Sequence, residues 1–511
     1  MADPRRILLT GATGLLGRYL LRDLVASGRL VSVLVRDARA TAAAERVAEL
    51  TALWSERLAK PLPAPVVLAG DLRCPGLGLG AADRRWAASH AAVVHAAASV
   101  VFRATPDGEP ESTNVLGTRR LTELCRSLAV GELHHVSTAF VCGDRADPVR
   151  EDELDCGQNF HNAYERSKFE AERHVRSDPG LRVTVYRPSV IIGDSRTGYT
   201  STYQGIYPFL ELGTRLARPG GGRPDAARAL PLRLPLTGDE PRDLVPVDWV
   251  ARAVVHIANR PRHHGRTYHL VAGRPVPVRR VKEVAEEVLG IGGVEFAGPD
   301  GPADPTALEQ LFLEHVREYL PYLQGDPVFD ARNSRAALRR LPPPAIDRAL
   351  LARVIAFAAR DRWGHRSSSP PAPAPEAAGM CGHYMERFFP QHARRSALAR
   401  AVNLDALIAF DVHGPAGGQW SCRWTHGELV SIRRGLEPGA EVTYRTDPAT
   451  FAAVVQGVLV PQEAFFARRI EIAGDLEKAL KLAVLFGQFV REFPFPPGPP
   501  RRLPDGLALT G

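Results

Sequence analysis

The stretch Thr10-Gly11-Ala12-Thr13-Gly14-Leu15-Leu16-Gly17 constrains this chain more than any other. A short strand, Arg6–Leu9, stops at a G-x-x-G-x-x-G loop, and an amphipathic helix, Leu15–Ala26, follows at once. Glycine there permits a tight turn, lets the main chain approach a pyrophosphate, and lets the helix sit close against the strand. The helix N-terminus then turns its partial positive charge toward phosphate. A glycine triplet alone is weak, because many turns carry one. Placed between a strand and a helix it reads as a dinucleotide loop, with Gly11, Thr13, Gly14, Leu15, Leu16 and Gly17 expected against the cofactor.

Further strands are expected at Leu30–Val35, Ala64–Leu68, Ala91–Ala97, Leu133–Phe140 and Arg182–Tyr186, with helical patterns between several of them. Such alternation predicts an α/β fold: a doubly wound, parallel Rossmann sheet with its ligand at the carboxyl ends of the strands. The core is expected over about 1–195, with a substrate subdomain to about 365. The segment 366–379, RSSSPPAPAPEAAG, has no apolar period and reads as an extended linker. Beyond it, Ala406–Val412, Gln419–Trp424, Glu428–Ile432 and Glu441–Arg445 read as strands. Pro448–Val458 and Leu476–Phe489 read as helices, making a small α+β domain over 380–495 before a tail at 496–511.

The chain has 511 residues, 45% hydrophobic and 24% charged, which fits a globular protein of several domains. Its net charge of +8 looks suggestive of nucleic acid until the basic residues are sorted. Only five of the 65 are lysine, and no dense basic run interleaves with aromatics. The excess therefore points to a coding bias, and no nucleic-acid partner is expected. Six scattered cysteines without a C-x-x-C pair argue against a disulfide scaffold or a zinc site. No signal-peptide pattern or run of ~18 apolar residues is present, so a cytoplasmic protein without a transmembrane segment is expected.

The end of the second strand should choose the nucleotide. A carboxylate there would hold a ribose 2′-hydroxyl; this chain has Val35 and then Arg36. An arginine can pair with a 2′-phosphate, so NADPH is expected, with NADH the alternative. Tyr164-Glu165-Arg166-Ser167-Lys168 puts a phenol and an ammonium on one helical face. The ammonium is expected to lower the phenol's pKa and make it a usable proton donor. Upstream, His134–Gly143 reads HHVSTAFVCG, where Thr138 is placed to bond a developing oxyanion. The His134-His135 pair is read as structural, because no carboxylate or cysteine partners it at ligand spacing. No metal is expected.

Gly11, Gly14, Gly17, Thr138, Tyr164 and Lys168 together resemble the fingerprint of extended short-chain dehydrogenases/reductases. Gly70-Asp71-Leu72, Val94–Ala98, Asn114–Thr118, Tyr186–Val190 and Gly193–Gly198 resemble one branch, the fatty acyl-CoA reductase and thioester-reductase (male-sterility) type. The resemblance runs from about Ile7 to Leu270 and more thinly to about residue 360. It implies that Asp71 and Leu72 flank the adenine and that Ala96, Ala97 and Ala98 line the cofactor. It also implies that Pro188 and Ser189 border the nicotinamide, that Lys168 holds its ribose, and that His95 packs beneath. The implied reaction is NADPH-dependent reduction of an acyl-CoA or acyl-carrier-protein thioester, fatty or polyketide-like, to aldehyde or alcohol. Gly198–Gly222 is read as a mobile substrate-side segment, and Leu244–Val250 as the start of a helix.

Residues from about Leu404 to Phe489 resemble a sterol carrier protein-2-like lipid-binding domain. Phe410-Asp411-Val412, Gly417–Trp420, Thr446-Asp447-Pro448, Pro461–Phe466 and Ile470–Asp475 carry the resemblance. An apolar lipid ligand is implied, with Phe465, Phe466, Leu485, Phe486 and Phe489 as candidates to line its tunnel. Two other readings stay open. One is a steroid or polycyclic alcohol dehydrogenase using the same tyrosine and lysine. The other is a lipid carrier whose nucleotide-binding half does no chemistry.

Overall fold

A computed structural model describes residues 3–38, 41–217, 228–365, 379–393 and 404–496. The chain forms two compact units, Met1–Gly364 and His365–Gly511. Most of the expected linker, 366–378, and most of the expected tail, 497–511, lie outside the described residues.

In chain order the first unit begins β1 (Asp3–Thr10), α1 (Leu15–Ala26), β2 (Leu30–Val35), α2 (Ala43–Leu58), β3 (Val66–Ala69), α3 (Ala81–Ala87) and β4 (His90–His95). It continues α4 (Gly117–Ser127), β5 (Glu132–Val136), α5 (Ala163–Arg176), β6 (Arg182–Pro188), β7 (Val190–Ile192), α6 (Tyr207–Leu216) and β8 (Arg228–Leu234). Then follow β9 (Pro241–Arg242), β10 (Leu244–Pro246), α7 (Val247–Ala258), β11 (Thr267–Leu270), β12 (Val276–Pro277), α8 (Val278–Leu289) and β13 (Ile291–Phe296). It closes with α9 (Ala307–Val316), α10 (Leu320–Leu323), α11 (Arg332–Ala337) and α12 (Arg348–Arg360).

The main sheet is ordered β11-β6-β5-β4-β1-β2-β3, and every pairing is parallel. Strand order reverses between β1 and β4, which opens a crevice at their carboxyl ends. Leu9, Val33 and Val94 face α1 and α7 on one side, where Tyr19, Leu20 and Trp249 are buried. Leu8, Leu34 and Val93 face α4 and α5 on the other, with Leu121, Leu124 and Val175. Both faces being covered, the strands need no polar alternation. A second lobe grows from the ends of the strands: β8 pairs with β13, and α8 packs with α12 around Val284, Leu351 and Val354.

The helix α5 is fixed to this sheet by a buried ion pair. Arg187 of β6 and Glu172 of α5, 1% and 0% exposed, meet at 2.6 Å. Arg187 also donates to the Glu153 carbonyl at 2.7 Å and lies 3.2 Å from His269 of β11.

The expected bounds of α1 and β2 are met, while two strands end earlier than expected. β4 stops at His95, and β5 stops at Val136 rather than Phe140. After Val136 the chain turns: the Ser137 N–H donates to the Tyr186 carbonyl, and the Thr138 hydroxyl oxygen accepts the Phe140 N–H. Within 198–222, Tyr207–Leu216 is helical, and 218–222 lie outside the described residues.

The second unit has a five-stranded sheet with β14 (Ala406–Val412), β15 (Gly418–Thr425), β16 (Glu428–Arg434), β17 (Val442–Thr446) and β18 (Ile470–Gly474), ordered β16-β15-β14-β17-β18. Only β14 and β17 run parallel. The helical run 380–393 and the helix Leu476–Glu492 supply Tyr384, Phe389 and Phe489 to its core. Among the described residues, no helix is long and apolar enough to cross a membrane.

Removing the cation of a buried pair leaves an uncompensated charge, at a cost of about 3–5 kcal/mol. Arg187→Met is therefore expected to lower the stability of the chain by about that much, and urea unfolding against wild type measures it.

Candidate functional site

The glycine loop works because two Cβ atoms are missing. Gly11 has φ +77°, and a Cβ there would lie 2.5 Å from the Ala97 nitrogen. At Gly17 a Cβ would lie 1.9 Å from the Gly11 carbonyl oxygen. Loop, helix and the end of β4 therefore meet backbone to backbone. The Ala96 N–H donates to the Thr10 carbonyl at 3.3 Å, and the Ala97 N–H to the Thr10 hydroxyl at 3.2 Å. α1 begins at Leu15, with Gly14 as its N-cap, so its free N–H groups open onto the crevice. A dinucleotide fits this cradle. His95 lies beneath it as a strut: fully buried, bonded to the Thr10 and Thr118 hydroxyls at 2.7 and 3.0 Å, and pushed down to about 3 by burial.

Thr138 lies just beyond β5, Tyr164 is the second residue of α5, and Lys168 follows one turn later. All three line one cavity of about 430 Å³, together with Gly14, Leu15, Leu16, Gly17, Ala96, Ala98, Pro188 and Ser189. Gly11, Thr13, Ala97, Arg36, Asp71 and Leu72 lie outside its lining. Asp71 is paired with Arg73 at 2.9 Å, while Leu72 is buried against Gly117, so it packs into the core instead of offering an open face. Most of the remaining wall is apolar, with Leu230, Leu232 and Leu234 of β8, Val281 and Ala285 of α8, and Phe312 of α9, while Gln204, Arg242, Lys282 and Glu286 also reach it.

The electrostatics differ from the sequence expectation. Burial pushes the Tyr164 phenol up to about 12, with a hydrogen bond to Thr138 pulling the other way. Lys168 does not lower it. The Lys168 ammonium is itself buried, donates to the Val136 carbonyl at 2.7 Å, and is pushed down to about 8, chiefly by burial and against the pull of Glu172. For each group, withdrawal from water is the largest influence.

A second correction concerns the histidine pair. Glu132, His134 and His264 bring potential ligand atoms within 4.8 Å of one another, so a carboxylate does lie close. Each group is nevertheless engaged: His264 with Glu132 and with the Ile257 and Ala258 carbonyls, His134 with the Tyr186 hydroxyl.

Two residues were missed from the sequence. Arg46, in the first turn of α2, donates to the Arg36 carbonyl at 2.8 Å and to the Thr13 hydroxyl at 3.2 Å. It puts a cation between the end of β2 and the glycine loop, a position readable from its closeness to β2 along the chain. Asp243 accepts from the Ser189 hydroxyl at 2.5 Å and from the Ala272 N–H at 2.7 Å, and burial pushes it up to about 6. No local motif marks it.

Residues 9–254 match the male sterility protein family, and residues 385–487 match the SCP-2 sterol transfer family. The chain joins a male sterility protein domain to an SCP-2 sterol transfer domain. The first is a nicotinamide-dependent oxidoreductase domain. Among curated proteins, the chain is 29% identical over 288 residues to the nonribosomal peptide synthetase asaC of Aspergillus flavus, covering 53% of this chain and 26% of that one. It is 27% identical over 400 residues to the aldehyde reductase lnaA of Aspergillus flavus, covering 69% and 36%. The chain thus spans about a third or less of the length of these relatives. Among solved structures, the terminal R domain from the myxalamid PKS-NRPS biosynthetic pathway superposes with a TM-score of 0.58 at 28% identity, covering 71% of this chain and 92% of that one. A thiolation-reductase di-domain from an archaeal non-ribosomal peptide synthetase shares the fold, with a TM-score of 0.55 at 18% identity over 71% and 77%.

In the SCP-2 domain, a separate apolar cavity of about 110 Å³ is lined by Phe465, Leu485, Phe486 and Phe489, four of the five expected residues. The side chain of the fifth, Phe466, lies outside the described set.

Lys168 generates a pH prediction. Between about 8 and its ordinary 10.5, the unfolded chain keeps a proton on Lys168 that the folded chain has released. Stability should therefore rise with pH through that window, by up to about 3 kcal/mol from this group. Lys168→Met should flatten that part of the profile, as read by denaturant unfolding above and below pH 8.

Proposed function

We propose that this chain reduces an acyl thioester, its acyl part long and apolar, to the aldehyde with NADPH, and that its SCP-2 domain binds an apolar ligand on the same chain. The observation that carries the reading is a cavity that Thr138, Tyr164 and Lys168 share with a largely apolar wall, Leu230, Leu232, Leu234, Val281 and Phe312 among it. Relatives named as a nonribosomal peptide synthetase and an aldehyde reductase support it, as does the likeness to a terminal R domain.

NADPH would lie along the glycine loop, with Lys168, Pro188 and Ser189 toward its nicotinamide end, and would supply the hydride. Thr138 and Tyr164 would offer their hydroxyls to the carbonyl oxygen as negative charge gathers on it. Tyr164, kept neutral by burial, would give that oxygen its proton. Lys168, still largely an ammonium at neutral pH, would offset charge on the phenolate left behind. Cleavage of the C–S bond in the hemithioacetal would then release thiol and aldehyde. Arg36 and Arg46 would pair with a 2′-phosphate, with Arg46 already held at the loop by Thr13. A carrier-protein-bound acyl group and an acyl-CoA present the same thioester, and both are candidate substrates.

Oxidation of NADPH with a long-chain acyl-CoA, with free thiol followed in parallel, tests the reading. Both signals are expected in wild type and both should fall by about 100-fold or more in Tyr164→Phe. In Arg46→Ala, the preference for NADPH over NADH should drop by about tenfold, roughly 1.4 kcal/mol. Turnover of steroid ketones without thiol release would move the reading to an alcohol dehydrogenase.

Tethering should act through effective concentration, on the order of millimolar for a short linker. A chain ending at Gly364 should therefore need more long-chain acyl thioester to reach half its maximal rate, with kcat unchanged. An unchanged KM would remove the role proposed for the SCP-2 domain.

A further inference from the structure

Glu165, the residue after Tyr164, is 0% exposed and lies outside the chemistry described above. Its carboxylate accepts three hydrogen bonds: from the His161 N–H at 2.9 Å, from His161 Nδ1 at 3.1 Å, and from the Tyr322 hydroxyl at 2.5 Å. The Tyr322 oxygen in turn accepts from Asn162 Nδ2 at 2.6 Å. Asn162 is the N-cap of α5, its side-chain oxygen taking the Glu165 N–H at 3.0 Å. One phenol from α10 therefore touches both residues that set the first turn of the catalytic helix. Hydrogen bonds to a buried carboxylate are among the strongest a protein makes, and loss of one leaves the anion short of a donor.

The ring of Tyr322 has a second role. It lies 5.6 Å from Phe102 and 5.4 Å from Phe140, centroid to centroid, while Tyr319 lies 5.0 Å from Phe102. Phe102 stacks on Tyr164 at 6.1 Å, and its carbonyl accepts the N–H of Ala163, the first residue of α5. All five rings line the cavity. The segment 307–323 thus closes the apolar wall with the same side chain that grips the start of α5.

We propose that Tyr322, acting through Glu165, is a positioning residue for Tyr164, and that docking of the 307–323 segment and setting of the catalytic phenol are one coupled event. Tyr164 sits in the first turn of α5, where a helix is held by its cap and not yet by its own ladder of hydrogen bonds. A loose segment would leave the cavity open and that turn free to shift, and a misplacement of about 1 Å can cost a large factor in rate. The kinetic part of this inference rests on the role proposed above for Tyr164; the coupling itself does not.

Tyr322→Phe keeps the ring and removes the bond. In the full chain, kcat with a long-chain acyl-CoA should fall about tenfold or more, while KM for thioester and for NADPH stays within about twofold. Glu165→Gln should lower kcat in the same way, and the double variant should lose no more than the worse single one. Losses that multiply would overturn the coupling. Hydrogen exchange gives an arm that needs no substrate: amides of 161–168 and of 307–323 should exchange faster together in Tyr322→Phe. Tyr203→Phe, which removes a different phenol–carboxylate bond, to Asp361, should change neither segment. Faster exchange at 307–323 with 161–168 unmoved, or a Tyr322→Phe kcat within twofold of wild type, would overturn the proposal. A wild-type chain that turns over no thioester, yet shows the paired exchange, would instead overturn the thioester reading and leave the coupling standing.

Discussion

The first unit depends on a contact that side chains would prevent. At the crossing of β1, α1 and the end of β4, Gly17 lies against the Gly11 carbonyl and Gly11 lies against the backbone of Ala97. A methyl group at either position would have to displace main chain, the least compliant part of a fold. Because the three segments can touch, the N-terminus of α1 opens directly onto the crevice where strand order reverses. Much of the cavity lining then hangs from the strand ends around it, Ala96 and Ala98 after β4, Thr138 after β5, Pro188 and Ser189 at the end of β6, while α5 adds Tyr164 and Lys168. The cavity is the space these ends leave beneath the second lobe.

Electrostatics in that space are set by exclusion of water more than by pairwise attraction. Burial holds the Tyr164 phenol neutral and weakens the hold of Lys168 on its proton, and both groups line the same cavity. The Lys168 ammonium is oriented by the Val136 carbonyl, and the helix that carries it is pinned by Arg187 and Glu172. Rigid support therefore comes from β5 and β6, and the apolar half of the cavity from the later lobe. A bound cofactor would add its own charges to this balance.

Much of this was legible from local pattern. The bounds of α1, β2 and β14 match the sequence expectation, because turn residues flank each and apolar spacing is regular within it. The glycine loop, Thr138, Tyr164 and Lys168 were readable because their spacing is short and their chemistry is unusual for the places they occupy. β5 was drawn too long, since HHVSTAF carries β-favouring residues past the point where the Thr138 hydroxyl caps a short helical turn at Ala139–Cys142. The pairing of β8 with β13 joins Arg228 to Ile291, and Tyr322 meets Glu165 across 157 positions. Such contacts leave no periodicity behind, so the apolar lobe and the anchoring of α5 could be seen only in three dimensions. Glu132 and His134, two apart on β5, share a face and were readable together; His264, 132 positions from Glu132, was hidden for the same reason as Tyr322.

The placement of β11 sets how little of this chain can stand alone. The male sterility match ends at residue 254, yet Thr267–Leu270 forms the outermost strand and covers β6 through four parallel register pairs. Cutting the chain at the end of the match would strip that strand away and bare the N–H and C=O row of β6. A freshly exposed strand edge is a template for pairing with other molecules. The same cut would remove Ala272, whose N–H helps hold the Asp243 carboxylate behind Ser189. The smallest piece that folds without sticking to itself is thus longer than the piece that carries the recognisable motifs.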